Sequence, residues 1–446
     1  MKKADAVIVG GSAAGLPAAI SCRRRYPQKS VILIRKEEQV LVPCGLPYIF
    51  GTLGSPEKDI IPDAILTNNN VELIKGEVVK IDRAKKVVSI SNGDTIGYDK
   101  LVLATGSLPV VLPIPGADKG NVFTANKDLT YLKDMLDTIN DARDVVIIGG
   151  GFIGAEFADE CKKNRGCNVT IVEVLPHCLQ LAFDEEFCIE AEKTLTERSI
   201  KLLPNSKVEA ILGDKQVSGV RLAGGEELKA DAVIMGVGTT PDVELAKKAG
   251  LEIGSTKAIA VDGYMRTITD MNIFACGDCA AKYSFFSGKP SRAMLASIAT
   301  SEARIVGANL FNTRYRNHGE VGVFSTIIGE RAFGWAGLTE AVARQEGYDV
   351  VTGESTAPDR HPGGMTGASS TKVKLVFSKD NGLLLGGGVS GGRTVGEIVN
   401  IISACIQHWM TAYEVSLFQM GTHPALTASP IVYQMVNAAE LAVKAI

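Results

Sequence analysis

The strongest constraint on this chain is one arrangement that occurs twice. Residues 6–9 (Ala-Val-Ile-Val) run into Gly10-Gly11-Ser12-Ala13-Ala14-Gly15, and residues 145–148 (Val-Val-Ile-Ile) run into Gly149-Gly150-Gly151-Phe152-Ile153-Gly154. Each apolar run is short and shows no alternation, as expected of a parallel strand buried on both faces. Each glycine turn leads into a helix-like stretch, 16–25 and 155–164, and then a second apolar run, 30–34 and 168–172. That is strand, turn, helix and strand, repeated about 140 residues apart. A single G-x-G-x-x-G is weak evidence, because glycines collect in turns anyway. Two in this context predict two dinucleotide sites.

In such a turn the first glycine permits the tight bend and the second lets backbone approach a pyrophosphate. The third lets helix pack on strand, with the helix N-terminus facing the phosphates. Gly149, Gly151 and Gly154 satisfy all three. Roughly 20 residues on, a ribose diol calls for an acidic group. Glu173 stands there, which predicts NAD, since a carboxylate repels the 2′-phosphate of NADPH. The first turn departs from this pattern. Ser12 replaces the middle glycine and Arg35 stands where the acid belongs. Either Glu37 or Glu38 takes the ribose, or that contact is lost. A serine hydroxyl can itself donate to a phosphate.

Further strands are expected at 87–90, 100–106, 231–238 and 272–278, with a proline-rich linker at 109–115. From about Glu320 the texture changes. Apolar residues alternate over 371–377, as in antiparallel strands, and 395–409 and 432–443 read as helices. At 446 residues the chain exceeds one ordinary core. The expected class is α/β, with two Rossmann-like dinucleotide-binding domains followed by an α+β domain. The boundaries fall at 1–112 with 245–318, at 113–244, and at 319–446. A formal net charge of −3 without long runs of one sign argues against nucleic acid as a partner. The N-terminal apolar run is too short for a signal peptide or a membrane span, so a cytoplasmic protein is expected. Nine cysteines are scattered without disulfide spacing, and most should be small buried hydrophobes.

Four segments, in order, carry a resemblance. They are the Gly10–Gly15 turn, Pro43-Cys44-Gly45-Leu46-Pro47-Tyr48, the Gly149–Gly154 turn, and Thr267 through Phe274-Ala275-Cys276-Gly277-Asp278. With them the chain resembles the flavin-dependent pyridine nucleotide–disulfide oxidoreductases over nearly its whole length. Its single redox cysteine places the likeness with the NADH oxidases and peroxidases, coenzyme A-disulfide reductases and persulfide reductases. The resemblance implies FAD held by Gly10, Ser12, Ala13, Gly15, Val78, Ala104-Thr105-Gly106 and Asp278, with Asp278 on the ribityl chain. It implies NADH held by Gly149, Gly151, Phe152, Ile153, Gly154, Glu173 and Gly238. It also makes the last domain a dimerisation domain and the enzyme a homodimer.

Cys44 is the expected nucleophile. A thiolate needs positive potential, and residues 45–50 can start a helix that supplies it, with Pro47 tolerated in the first turn. The lipoamide and glutathione reductases carry Cys-x4-Cys here, but no second cysteine lies nearby. Cys44 must then cycle through a sulfenate, persulfide or mixed disulfide. Cys276 and Cys279 form a Cys-x-x-Cys inside an FAD-contacting turn, where neither redox nor metal chemistry is expected.

Three features bear on the electron acceptor. Ala13 stands where the peroxidases and water-forming oxidases have a histidine, as in the coenzyme A-disulfide reductases. Arg23 and Arg24, within Arg23-Arg24-Arg25, match positions that grip coenzyme A phosphates in those reductases; the bland alternative is cations complementing a helix dipole. The partner-subunit tyrosines of those reductases are missing from 359–364 and 419–424. Thr422-His423-Pro424 resembles instead the His-Pro of lipoamide dehydrogenase, although its supporting glutamate falls at Ala428. His423 is the expected acid and His361 a second candidate. The reading is an NADH-dependent reductase of a small persulfide, polysulfide or coenzyme A disulfide. The alternatives are an NADH oxidase and a flavoprotein reductase serving a protein partner.

Overall fold

The computed structural model describes all residues 1–446, and they divide into two compact units. The first comprises residues 1–112, 123–141 and 237–320. Its seven-stranded sheet runs Glu72–Lys75, Val31–Arg35, Lys2–Val9, Thr95–Leu103, Val87–Ile90, Val78–Asp82, with Ile273–Ala275 paired to Thr95–Leu103. Lys2–Val9 is central and parallel to both neighbours, with Ile8 opposite Leu33 and Val102. All three side chains are fully buried, which explains the unbroken apolar runs of the sequence. Helix Gly15–Arg25 begins directly after the first glycine turn and packs on helix Ala296–Asn309.

The second unit comprises residues 113–122, 142–236 and 321–446. Its parallel core places Ala232–Met235, Asp144–Ile148, Asn168–Val172 and Ile200–Leu203 side by side. Residues 321–446 fall in this unit together with those parallel strands. Its antiparallel sheet has the order Val323–Ile328, Arg331–Gly337, Leu384–Gly391, Ser370–Ser378, Val350–Pro358. Helices Val395–Gln407 and Gln434–Val443 pack against that sheet. Several interactions join the halves of this unit, and two of them involve residues of the nucleotide turn and a buried cation. Phe152 stacks on Phe324 with ring centroids 5.4 Å apart. Buried Lys374 reaches Asp184 at 2.9 Å, Glu186 at 2.7 Å and Glu340 at 3.0 Å. A buried cation is tolerable only with such partners. Neither interaction has a local sequence signature. No helix is long and apolar enough to cross a membrane.

Candidate active site

Three motifs far apart in sequence converge in the first unit. Gly10 ends the central strand at φ +109°, and a Cβ there would lie 2.1 Å from the Ala104 carbonyl oxygen. A Cβ on Gly15 would lie 1.9 Å from the Gly10 oxygen, so strand and helix meet at bare backbone. On the other side, a Cβ on Gly277 would come within 2.8 Å of that of Ala14. Thr105 Oγ1 donates to the Asp242 carbonyl at 2.6 Å, and Ser107 Oγ donates to Asp278 Oδ2 at 2.7 Å. The Gly10–Gly15, Ala104–Gly106 and Cys276–Asp278 segments thus line one cradle.

Two buried residues that the sequence did not single out fasten that cradle. Glu302 accepts the Gly277 N–H at 2.8 Å, and Lys282 Nζ donates to the carbonyls of Gly277 at 2.6 Å and Ala280 at 3.1 Å. Burial pushes the Glu302 carboxyl up to about 7, with the Lys282 ammonium at 3.6 Å opposing. Nothing short of the folded contacts identifies this pair.

FAD fits this cradle. The Ser12 hydroxyl is buried without a hydrogen-bond partner, and helix Gly15–Arg25 has neither a side-chain cap nor an acid in its first turn. Both leave donors for an anionic pyrophosphate. Val78 is buried at the start of its strand. Arg35 does not open toward a ligand. Its Nε donates to the Glu37 carbonyl and its Nη2 to that of Glu38, both at 2.9 Å, and it pairs with Asp63 at 2.7 Å. The Glu38 carboxylate is taken by Lys75 at 3.0 Å, so Glu37 is the acid of the two without a cation on it.

Cys44 lies in the same unit. The helix starts two residues earlier than its sequence suggested and is a 3-10 helix, Pro43–Phe50, with Cys44 in its first turn and Pro47 inside. Cys44 is exposed, whereas the other eight cysteines are buried. Burial raises all eight thiols, to about 12 for Cys22, Cys178 and Cys188 and about 11 for Cys405. Cys161, Cys167, Cys276 and Cys279 move the same way. A thiol so raised is inert at neutral pH.

The second turn repeats the first in the other unit. Gly149 has φ +102°, and a Cβ on Gly154 would lie 1.9 Å from the Gly149 oxygen. Gly151, by contrast, faces open space. Glu173 is buried at the strand end and accepts the N–H groups of Gly150 at 2.5 Å and Leu175 at 2.7 Å. Each oxygen keeps a further lone pair for a diol. The Phe152 ring is committed to packing on Phe324 and Phe183, which leaves its backbone and that of Ile153 for a ligand. Gly238 sits in the first unit at φ +95°.

The two histidine loops come together. The His361 N–H donates to the Pro424 carbonyl at 3.0 Å, and the Arg360 guanidinium donates to that of Ala425. The rings are held in opposite senses. His361 Nδ1 lies 3.1 Å from the Thr427 carbonyl and must donate to it, which leaves Nε2 to exchange a proton. His423 Nδ1 accepts the Ala425 N–H at 3.2 Å, so the neutral ring carries its proton on exposed Nε2. Of the arginines, Arg23 is turned onto the carbonyls of Pro27, at 3.1 Å, and Lys29. Arg25 donates to the Tyr315 hydroxyl at 3.0 Å, while Arg24 is exposed.

Comparison with known proteins agrees with this geometry. The pyridine nucleotide-disulphide oxidoreductase family matches residues 4–303, and its dimerisation domain matches residues 323–432. An NADH oxidase of Methanocaldococcus jannaschii is 30% identical over 437 residues, 95% of each chain. A coenzyme A-dependent NAD(P)H sulfur oxidoreductase of Pyrococcus furiosus is 34% identical over 82% of this chain and 84% of its own. The solved NAD-dependent persulfide reductase of A. fulgidus superimposes with a TM-score of 0.90 at 29% identity, covering 98% of this chain and 83% of that one. Two dinucleotide turns, a cradle closed by Asp278 and one accessible thiol at Cys44 are what a flavin-dependent enzyme of this kind requires, and the chain belongs to the pyridine nucleotide-disulphide oxidoreductases.

Proposed function

We propose that the chain is an NADH-dependent flavoprotein reductase of a small persulfide or polysulfide, with a coenzyme A derivative as the favoured carrier, acting through Cys44 as a homodimer. The accessibility of Cys44 alone among nine cysteines carries this reading. Gly10, Ser12, Ala13, Gly15, Val78, Ala104, Thr105, Gly106 and Asp278 would hold FAD, which when bound supplies a two-electron relay between nicotinamide and sulfur. Gly149, Gly151, Gly154 and Glu173 would hold NADH, with backbone from Phe152 and Ile153. Arg24 is the better placed of the arginine pair for a coenzyme A phosphate, since Arg23 is engaged by its own loop.

The Cys44 thiolate attacks the outer sulfur of the substrate persulfide. A new S–S bond forms at Cys44, the old one breaks, and the carrier leaves as a thiolate. His361 of the partner subunit gives that thiolate a proton from Nε2, because its Nδ1–H stays on the Thr427 carbonyl throughout. His423 of the partner subunit offers a hydrogen bond from Nε2–H. Two electrons from NADH then release hydrosulfide and restore the Cys44 thiolate.

Oxygen as acceptor is a second reading, favoured by the likeness to an NADH oxidase over nearly the full chain. Steady-state turnover of Cys44→Ser separates the two. Loss of persulfide reduction with intact oxygen consumption supports the reductase. Undiminished persulfide reduction overturns it.

A further inference from the structure

Cys44 is followed by Gly45, and a particular side chain excludes anything larger there. A Cβ on Gly45 would lie 1.9 Å from Asp59 Oδ1 and 2.8 Å from Cγ. Asp59 closes the short 3-10 helix Pro56–Asp59, ahead of strand Ile60–Ile61, which pairs with Val40–Leu41. The Val42 N–H donates to the Asp59 carbonyl at 3.0 Å and the Gly45 N–H to that of Val42 at 2.8 Å. This short ladder fixes the carboxyl against the backbone of the residue next to the thiol.

Asp59 is only 5% exposed, and its Oδ2 has no hydrogen-bond partner. A carboxylate so placed is costly. Burial pushes the group up to about 6, opposed only by a backbone hydrogen bond from Val42. The surrounding charges are committed elsewhere. On its own turn, Lys58 donates to the Leu53 carbonyl at 2.8 Å. Glu57 is paired at 2.5 Å with Lys133 of helix Leu129–Asp141, which packs against both 3-10 helices. The helix across from it contributes Cys44 and Tyr48, and the paired strands contribute no titratable group.

We propose that Asp59 is a positioning residue that couples its own protonation to the Cys44 thiolate: the neutral carboxyl permits the thiolate, and the carboxylate opposes it. This rests on Cys44 being the reactive thiol. A like charge beside a thiol raises its pKa, here by roughly one unit, or about tenfold in thiolate. The wild-type enzyme therefore holds its thiolate most readily when Asp59 carries the proton.

The test is alkylation by iodoacetamide of full-length, FAD-loaded, NADH-reduced enzyme from pH 5 to 9, with the labelled residue read by mass spectrometry. The thiolate displaces iodide, so the rate reports thiolate directly. Wild type should show two inflections, one near pH 6 and one for the thiol. Asp59→Asn should show one, shifted down by roughly a unit, with about tenfold faster labelling between pH 6 and the thiol inflection and rates matching wild type below pH 6, where Asp59 already carries its proton. Bound-flavin absorbance reports whether the variant folds, and the wild-type profile alone decides if it does not. A single inflection in wild type, or superimposable profiles, overturns the coupling while leaving Cys44 as the nucleophile. Labelling at another cysteine overturns both.

Discussion

The middle and last glycines of the second turn should fail in different ways when replaced by alanine. Gly151 has φ −74° and ψ −171°, which alanine adopts without strain, and open space lies where a methyl would go. Gly151→Ala should therefore keep or slightly raise stability, by up to about 1 kcal/mol through the unfolded chain. Its methyl would intrude where the pyrophosphate must approach, so the KM for NADH should rise at least tenfold, worth about 1.4 kcal/mol. Gly154→Ala puts its methyl 1.9 Å from the Gly149 oxygen, which belongs to backbone and cannot swing aside. Helix Phe152–Lys162 would have to slide by about 1 Å or more, at a cost of about 1–3 kcal/mol from overpacking. That exceeds the helix-propensity gain of about 1 kcal/mol. Denaturant unfolding and NADH kinetics on both variants decide the matter. An unchanged KM in a well-folded Gly151→Ala would refute the assignment of that turn to the nucleotide.

Other substitutions test the remaining parts. Ser12→Ala removes a hydroxyl that has no protein partner, so apoprotein stability should hold while FAD dissociates several-fold faster, followed by release of flavin fluorescence. His361→Gln should slow persulfide turnover by about 10²-fold or more, while His423→Gln should cost far less; equal losses would contradict the opposed tautomers. Glu302 is raised by burial, so its contribution to stability is fully present below its unfolded value and is lost as pH rises through about 7. Melting curves from pH 5 to 9 should show that decline in wild type and its loss in Glu302→Gln.

Much of this architecture was legible because glycine records close backbone approach. Gly10 and Gly15, like Gly149 and Gly154, are fixed by carbonyl oxygens about 2 Å from a missing Cβ, and that requirement survives in sequence as spacing. The buried parallel strands were legible for the same local reason. Arg35 was readable as a departure from pattern, but not as a clamp on the carbonyls of Glu37 and Glu38. Asp59, Glu302 and Lys282 gave no signal, since each acts through partners brought near only by folding. The packing of residues 321–446 with the nucleotide-binding strands was equally hidden, because Lys374 meets its three acids across tertiary contacts.

The central claim is that reducing equivalents pass from nicotinamide, by way of flavin, to one sulfur. An anaerobic reductive titration of the oxidised holoenzyme counts them. After reaction with a persulfide to leave Cys44 as its own persulfide, wild type should take up about four electrons per bound flavin, two of them at that sulfur–sulfur bond, and Cys44→Ser treated alike should take up two. Two electrons in both proteins would contradict the account.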